Sequence, residues 1–371
     1  MIRRILLILF LTSAVFGEES VSFYVNKAQS YIQSLKTGKA EIINESYGPE
    51  GDQSTAPSTF TKRVWKISYA FDREYRATRM DRWIVTEVIL PASNGFPEED
   101  AIGKSSHVGT IEGMLDLLLY QGDMEVRILP VLNRGMEITQ KSKKNVEHYE
   151  LRHPAFWTDS FIRVIGNMDE RKFKFDRSKN YMFGEDSLHN GRQVVIQNER
   201  LIRTGNEPSR DSYTHIVHQF WVNKDFGGIE KIEASRSFLS STEVEIVGET
   251  FNALKKTDLK NYPTEIEIVY QKSPIVPFPV EIIKTDYFPK MDKNNQLVIT
   301  VGNIDKYYFD KIQINPPDFG VSDFFIYPEN NTEIEVYPER TKISSQEYLN
   351  LFSHLPVEKD KIVIKNKIFM P

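Results

Sequence analysis

The chain contains no cysteine in 371 residues. That excludes a disulfide framework, a thiolate nucleophile, cysteine metal ligands and a lipobox attachment point. It also lacks a Gly-x-Ser-x-Gly nucleophile elbow and a glycine-rich phosphate loop opening a helix. Long hydrophobic runs are missing too. The longest, Ile5 to Leu11, is far shorter than the roughly 20 residues of a membrane span. Neither sign of charge dominates: 47 Lys and Arg face 52 Asp and Glu, a net charge of −5. This balance gives no electrostatic reason to expect nucleic acid as a partner.

Histidine is sparse, with seven in the chain. His215 and His218 are the best-looking metal pair, but their segment reads as a strand, where an odd spacing sends side chains to opposite faces. His148 and His153 flank Glu150 with no third ligand at useful spacing. Glu98-Glu99-Asp100 reads as a solvated acidic loop. Paired carboxylates for glycoside hydrolysis are set in space rather than by spacing, and no pattern here points to them. The residues predict no catalytic site, no metal and no cofactor.

What is present begins at the N-terminus. Arg3 and Arg4 precede the Ile5 to Leu11 run, and Val15-Phe16-Gly17 supplies compact residues where a signal peptidase cuts. Residues 1–17 therefore read as a signal peptide, with Glu18 first after cleavage. Export without cysteine suits a Gram-negative periplasm better than a eukaryotic secretory route, with secretion as the alternative. Asn44-Glu45-Ser46 and Asn330-Asn331-Thr332 match the glycosylation pattern, which would be silent in most bacteria.

The mature chain of roughly 350 residues is large enough for a sizeable core. Twenty-three Phe and 17 Tyr in short alternating runs favour sheet. Val21, Val25, Ala28, Ile32 and Leu35 recur at helical spacing, with Ser20 as N-cap and Gly38 as stop. Strands are predicted at Ala40 to Ser46, Val64 to Phe71, Tyr75 to Met80 and Trp83 to Leu90, the last three broken by Asp72-Arg73 and Asp81-Arg82. Val108 to Tyr120 reads as a second helix, with Val108, Ile111, Leu115, Leu118 and Leu119 as its stripe. Strand-like runs resume through Glu125 to Gln140, Glu147 to Arg152 and Phe161 to Ile165, while Tyr181 to Asn190 reads as loop. Arg171 to Arg177 alternates basic and aromatic residues, an edge or hairpin pattern. Tyr213 to Val222 and Ile229 to Phe238 flank Asn223 to Gly228, a hairpin signal with a Gly pair. Glu243 to Phe251, Glu265 to Tyr270, Val280 to Tyr287, Gln296 to Thr300 and Tyr307 to Ile314 continue the sheet, and three prolines between Ser273 and Pro279 break it. The expected fold class is α+β, mainly β: one large curved antiparallel sheet with two or three covering helices, two β domains being the alternative. Its apolar face encloses either a packed core or a cavity for an acyl chain.

Several short segments resemble the LolA-like periplasmic lipoprotein carriers and the related RseB sensor domain. These are Ile32-Gln33-Ser34-Leu35 with the strand from Lys39 to Glu45, Phe220 to Asp225 with Gly227-Gly228, Pro263 to Ile266, and Phe309 to Glu333 with Ile314-Asn315-Pro316, Phe324-Phe325 and Tyr327-Pro328. The similarity is spread over the mature chain. The chain is longer than a carrier, so residues 48–58 and 156–190 would be insertions in a domain over 18–340, with 341–371 a C-terminal extension bearing a short helix. Asn331-Thr332 also replaces the glycine-threonine of relatives. The resemblance implies a half-barrel binding a lipid, a lipoprotein acyl chain or another apolar ligand without catalysis. The helices at Val21 to Leu35 and Val108 to Leu119 would shield it as a lid. Val25, Ile32, Leu35, Trp65, Trp83, Leu115, Leu118 and Trp221 are the candidate lining. An envelope sensor or protein-interaction module on the same fold is the second reading, and a secreted hydrolase the third.

Overall fold

The computed structural model describes residues 21–50, 57–93, 95–98, 106–109, 116–121, 124–128, 135–140, 158, 161, 181–185, 192–203, 212–240, 244–247, 250–253, 263–271, 276–291, 297–328 and 332–356. The leader, Ser20, Leu115, His148, Glu150, His153 and the runs Glu147 to Arg152 and Arg171 to Arg177 lie outside these residues. No described helix is long and apolar enough to cross a membrane.

Helix α1 (Val21–Ser34) is followed by three long strands, β1 (Thr37–Glu50), β2 (Thr59–Asp72) and β3 (Ala77–Ser93). Short strands come next: β4 (Phe96–Pro97), β5 (Ser106–Gly109), β6 (Asp116–Gln121), β7 (Met124–Ile128), β8 (Met136–Gln140) and β9 (Tyr181–Glu185). Then follow β10 (Gln193–Arg203), β11 (Ser212–Asn223), β12 (Ile229–Ser240), β13 (Val244–Val247), β14 (Thr250–Ala253), β15 (Thr264–Tyr270), β16 (Pro279–Met291) and β17 (Leu297–Ile314). Helix α2 (Val321–Phe324), β18 (Ile334–Tyr337), β19 (Thr341–Ile343) and helix α3 (Ser345–Leu351) complete the described chain.

Apart from the separate β13–β14 hairpin, these strands join one 17-stranded sheet. Neighbours run β9–β10–β11–β12–β15–β16–β17–β1–β2–β3–β6–β7–β8–β18–β19. Strands β4 and β5 flank the far part of β3. Among the described strand pairs, only β8–β18 is parallel. The sheet is large, curved and unclosed, so the mainly β half-barrel class holds.

Curvature follows from what α1 touches. Tyr24, Val25, Ala28, Tyr31, Ile32 and Leu35 share one core cluster with Ile42, Phe71, Ile196, Phe220, Ile232, Ile268 and Ile282. Those sheet residues spread over eight successive strands, β10 to β2, a flat span of about 34 Å at the usual strand spacing. That one continuous core joins strands so widely spaced fits a sheet that curves round it.

A second core lies on the other face. Ala70 and Ala77 face Leu119, Val126, Ile138, Phe324, Phe325, Ile334, Tyr348 and Phe352 there, while Tyr69 and Phe71 face α1. Thus β2 is apolar on both sides, and β19 and α3 belong to this second core rather than hanging off it. A small third cluster, Tyr47, Phe60, Leu90 and Val301, closes the far end of the same face.

Several expected elements differ. Val108 to Tyr120 is not a second helix: β5 and β6 occupy its described residues. The run Leu118-Leu119-Tyr120 is buried throughout, a strand covered on both faces, which mimics a helix stripe over so short a stretch. Leu118 pairs with Met80 on the α1 side, and Leu119 enters the second core. Tyr75 to Met80 and Trp83 to Leu90 are one strand, β3, because Asp81 is buried in an ion pair with Arg79 and Arg82 lies over the Trp65 ring. Gln296 to Thr300 and Tyr307 to Ile314 also merge, into β17. Tyr181 to Glu185 is strand rather than loop, Phe161 is helical rather than strand, and Glu243 to Phe251 falls in the separate hairpin.

Candidate functional site

The side of the sheet that α1 touches is its inner face, where Phe161 also packs, its ring 5.2 Å from that of Phe220. The helix is fixed at two points. At its C-terminal end, Asn315 adopts φ of 48° and its Oδ1 accepts from the N–H groups of Lys36 (2.9 Å) and Thr37 (3.1 Å), while Nδ2 donates to the Ser34 carbonyl (2.8 Å). At mid-helix the β11–β12 turn abuts it. Gly227, at φ of 84°, comes so close that a Cβ would lie 2.6 Å from the Ala28 nitrogen. The Lys27 ammonium donates to the Lys224 carbonyl at the same turn. Asn223 shapes that turn, its side chain accepting from Asp225 and Phe226 N–H groups.

Beyond α1, the same face continues along the far ends of β11, β12, β15 and β16. Strand alternation puts Ile216 and His218 on the side of Phe220, and Ala234, Arg236 and Phe238 on the side of Ile232. The register sets His218 opposite Ala234 and Ala234 opposite Thr264. With Ser235 and Phe288 they line a cavity of about 420 Å³. Phe238 and Phe288 are 48% and 36% exposed, high for aromatic rings, because the cavity is open beside them. His218 stacks on Phe220 at 5.9 Å and joins the cavity to the α1 core. His215 faces the other side, as the odd spacing predicts.

Charges around the cavity are unequally matched. Asp286 accepts from Thr264 Oγ1 (2.7 Å) and pairs with Lys284 Nζ (2.7 Å), so its charge is balanced. Arg236 makes no ion pair or hydrogen bond among the described residues. Under α1, burial pushes the hydroxyls of Tyr69 and Tyr270 above the ordinary tyrosine range, so both stay neutral. Tyr270 donates to the Ile229 carbonyl (2.9 Å), and the Tyr69 hydroxyl has no partner among the described residues. Among the described residues no group of three His, Asp or Glu gathers as a metal site.

The sequence-predicted lining splits by face. Val25, Ile32 and Leu35 are buried beneath α1, with Trp65 packed partly against them. Leu118 is buried on the same side, carried by a strand. Trp83 and Trp221 stand on the opposite face: Trp83 pairs across to Lys66, and Trp221 packs under the Lys231 ammonium at 5.3 Å. Leu115 lies outside the described residues. None of the seven described candidates lines the open cavity. Ile216, Arg236, Phe238, Thr264 and Phe288 do, and period-two alternation from Phe220 and Ile232 would have found the first three.

No family model and no curated protein matches the chain. Among solved structures, the chain is similar to lipovitellin in a structure describing its lipid–protein interactions, at TM-score 0.29 and 8% identity. The match covers 77% of this chain but spans only 26% of the lipovitellin chain.

Proposed function

We propose that the protein is a non-enzymatic, exported carrier or binding protein that takes a lipid, an acyl chain or another apolar ligand on the inner face of its half-barrel. The supporting observation is the open cavity beside α1, where Phe238 and Phe288 leave ring surface exposed within a concave, partly apolar lining. Its volume falls within the range of small-ligand pockets. Each CH₂ moved from water onto such a lining contributes about 0.8 kcal/mol, offset by ordering of the ligand. Because α1 is tied to Asn315 and to the β11–β12 turn, entry is at the open cavity rather than by lifting α1. The exported, periplasmic setting rests on the leader-like residues 1–17 and the absence of cysteine.

Native mass spectrometry of the mature protein from its own envelope fraction, followed by organic extraction, tests this reading. The expected result is a stoichiometric lipid adduct that disappears in Phe238→Asp, a change at an exposed position that leaves the fold intact. A clean apo mass that also ignores added lipids overturns it.

A further inference from the structure

The geometry points to an anionic amphiphile as the occupant of the open cavity, with its acidic headgroup on the Arg236 guanidinium and its tail on Ile216, Phe238 and Phe288. This rests on the apolar-ligand reading of the same cavity and names the ligand's chemistry. Three observations carry it. First, Arg236 stands between apolar side chains two residues either way on β12, Ala234 and Phe238, so the cation and the apolar wall share one surface. Second, the carboxylate bonded to the lining Thr264, that of Asp286, is already held by Lys284, and Arg236 has no ion pair among the described residues. Third, Phe238 is directly next in line along the face and half exposed, so a chain leaving a headgroup at Arg236 runs onto an aromatic ring rather than into water. A planar guanidinium takes a carboxylate or phosphate oxygen pair in bidentate fashion, which a neutral headgroup cannot exploit.

The test uses the full mature protein and four probes below micelle-forming concentrations: dodecanoate, dodecyl phosphate, dodecanol and inorganic phosphate. Binding is read by calorimetry or by displacement of a fluorescent fatty acid. Wild-type protein binds the two anionic amphiphiles about tenfold or more above dodecanol, the scale of one charge-assisted hydrogen bond on a partly exposed group. Arg236→Gln abolishes that preference while keeping dodecanol affinity, and Arg236→Lys retains most of it. Phe238→Asp weakens all three chains. Equal affinity for dodecanoate and dodecanol in the wild type overturns the headgroup assignment and leaves the apolar site standing. So does a preference that survives Arg236→Gln. Inorganic phosphate competing as well as dodecyl phosphate overturns it as well, because the tail then contributes nothing. If no chain binds, the apolar-ligand reading itself fails.

Discussion

Arg79 and Asp81 stand two residues apart on β3, so both point into the second core, and their side chains are only 3% and 1% exposed. Arg79 Nε lies 2.9 Å from Asp81 Oδ1, and Nη1 donates to the Phe324 carbonyl at the end of α2 (3.1 Å). Its Nη2 has no partner among the described residues. A buried pair of this kind stabilises little by itself, but breaking it strands a charge. Asp81→Ala is therefore expected to cost about 3–5 kcal/mol in urea unfolding, whereas Asp81→Leu with Arg79→Met recovers most of that loss. A single variant that unfolds at the wild-type midpoint would show that the pair is hydrated rather than buried. In the sequence, Asp81 opens the Asp81-Arg82 pair that reads as a break between two strands. Partnership across the fold, invisible locally, turns a break into a continuous strand.

Helix α1 owes its place to residues nearly 300 positions away. Asn315 satisfies the chain leaving the helix with three side-chain hydrogen bonds, in a left-handed conformation that asparagine tolerates better than alanine. Asn315→Ala should lower stability by about 1–3 kcal/mol, and Asn315→Gly, which keeps the backbone conformation, by less. Chemical denaturation of the two variants checks this, and identical unaltered midpoints would refute it. The existence of α1 was legible from Val25, Ala28, Ile32 and Leu35, because one apolar stripe facing one core follows the helical period. So was the β11–β12 hairpin, from Asn223 to Gly228, although only Gly227 takes the positive φ. What misled was Leu118-Leu119-Tyr120, where the sheet has a core on each face and period two vanishes. The cavity was hidden for another reason. Trp83 and Trp221 are strand residues, and a strand assigns faces by parity, which puts both on the face away from α1.

At the scale of the molecule, one sheet carries two main cores on opposite faces, and β2 is the wall between them: Phe71 packs toward α1 and Ala70 toward α2 and α3. The ladder is continuous from β9 to β19, but the apolar contacts are not: among the described residues, β10 to β12 bury nothing in the second core and β7, β8 and β18 nothing in the first. Contacts of this kind set how far a local loss of packing spreads, because cooperative units follow buried apolar contact more closely than sheet membership. Phe352, fully buried against Phe325 at 5.2 Å and Tyr348 at 5.0 Å, is the place to perturb one side only. Phe352→Ala should cost the second core about 3–5 kcal/mol, raising amide exchange in Met124–Ile128 and Met136–Gln140 roughly a hundredfold or more while Gln193–Arg203 and Ile229–Ser240 exchange as in the wild type. Equal acceleration in both sets would mean that β2 transmits the loss and that the sheet unfolds as one unit. Confinement to the second core would leave the inner face intact, so the variant would keep wild-type affinity for any apolar ligand of the proposed cavity beside α1.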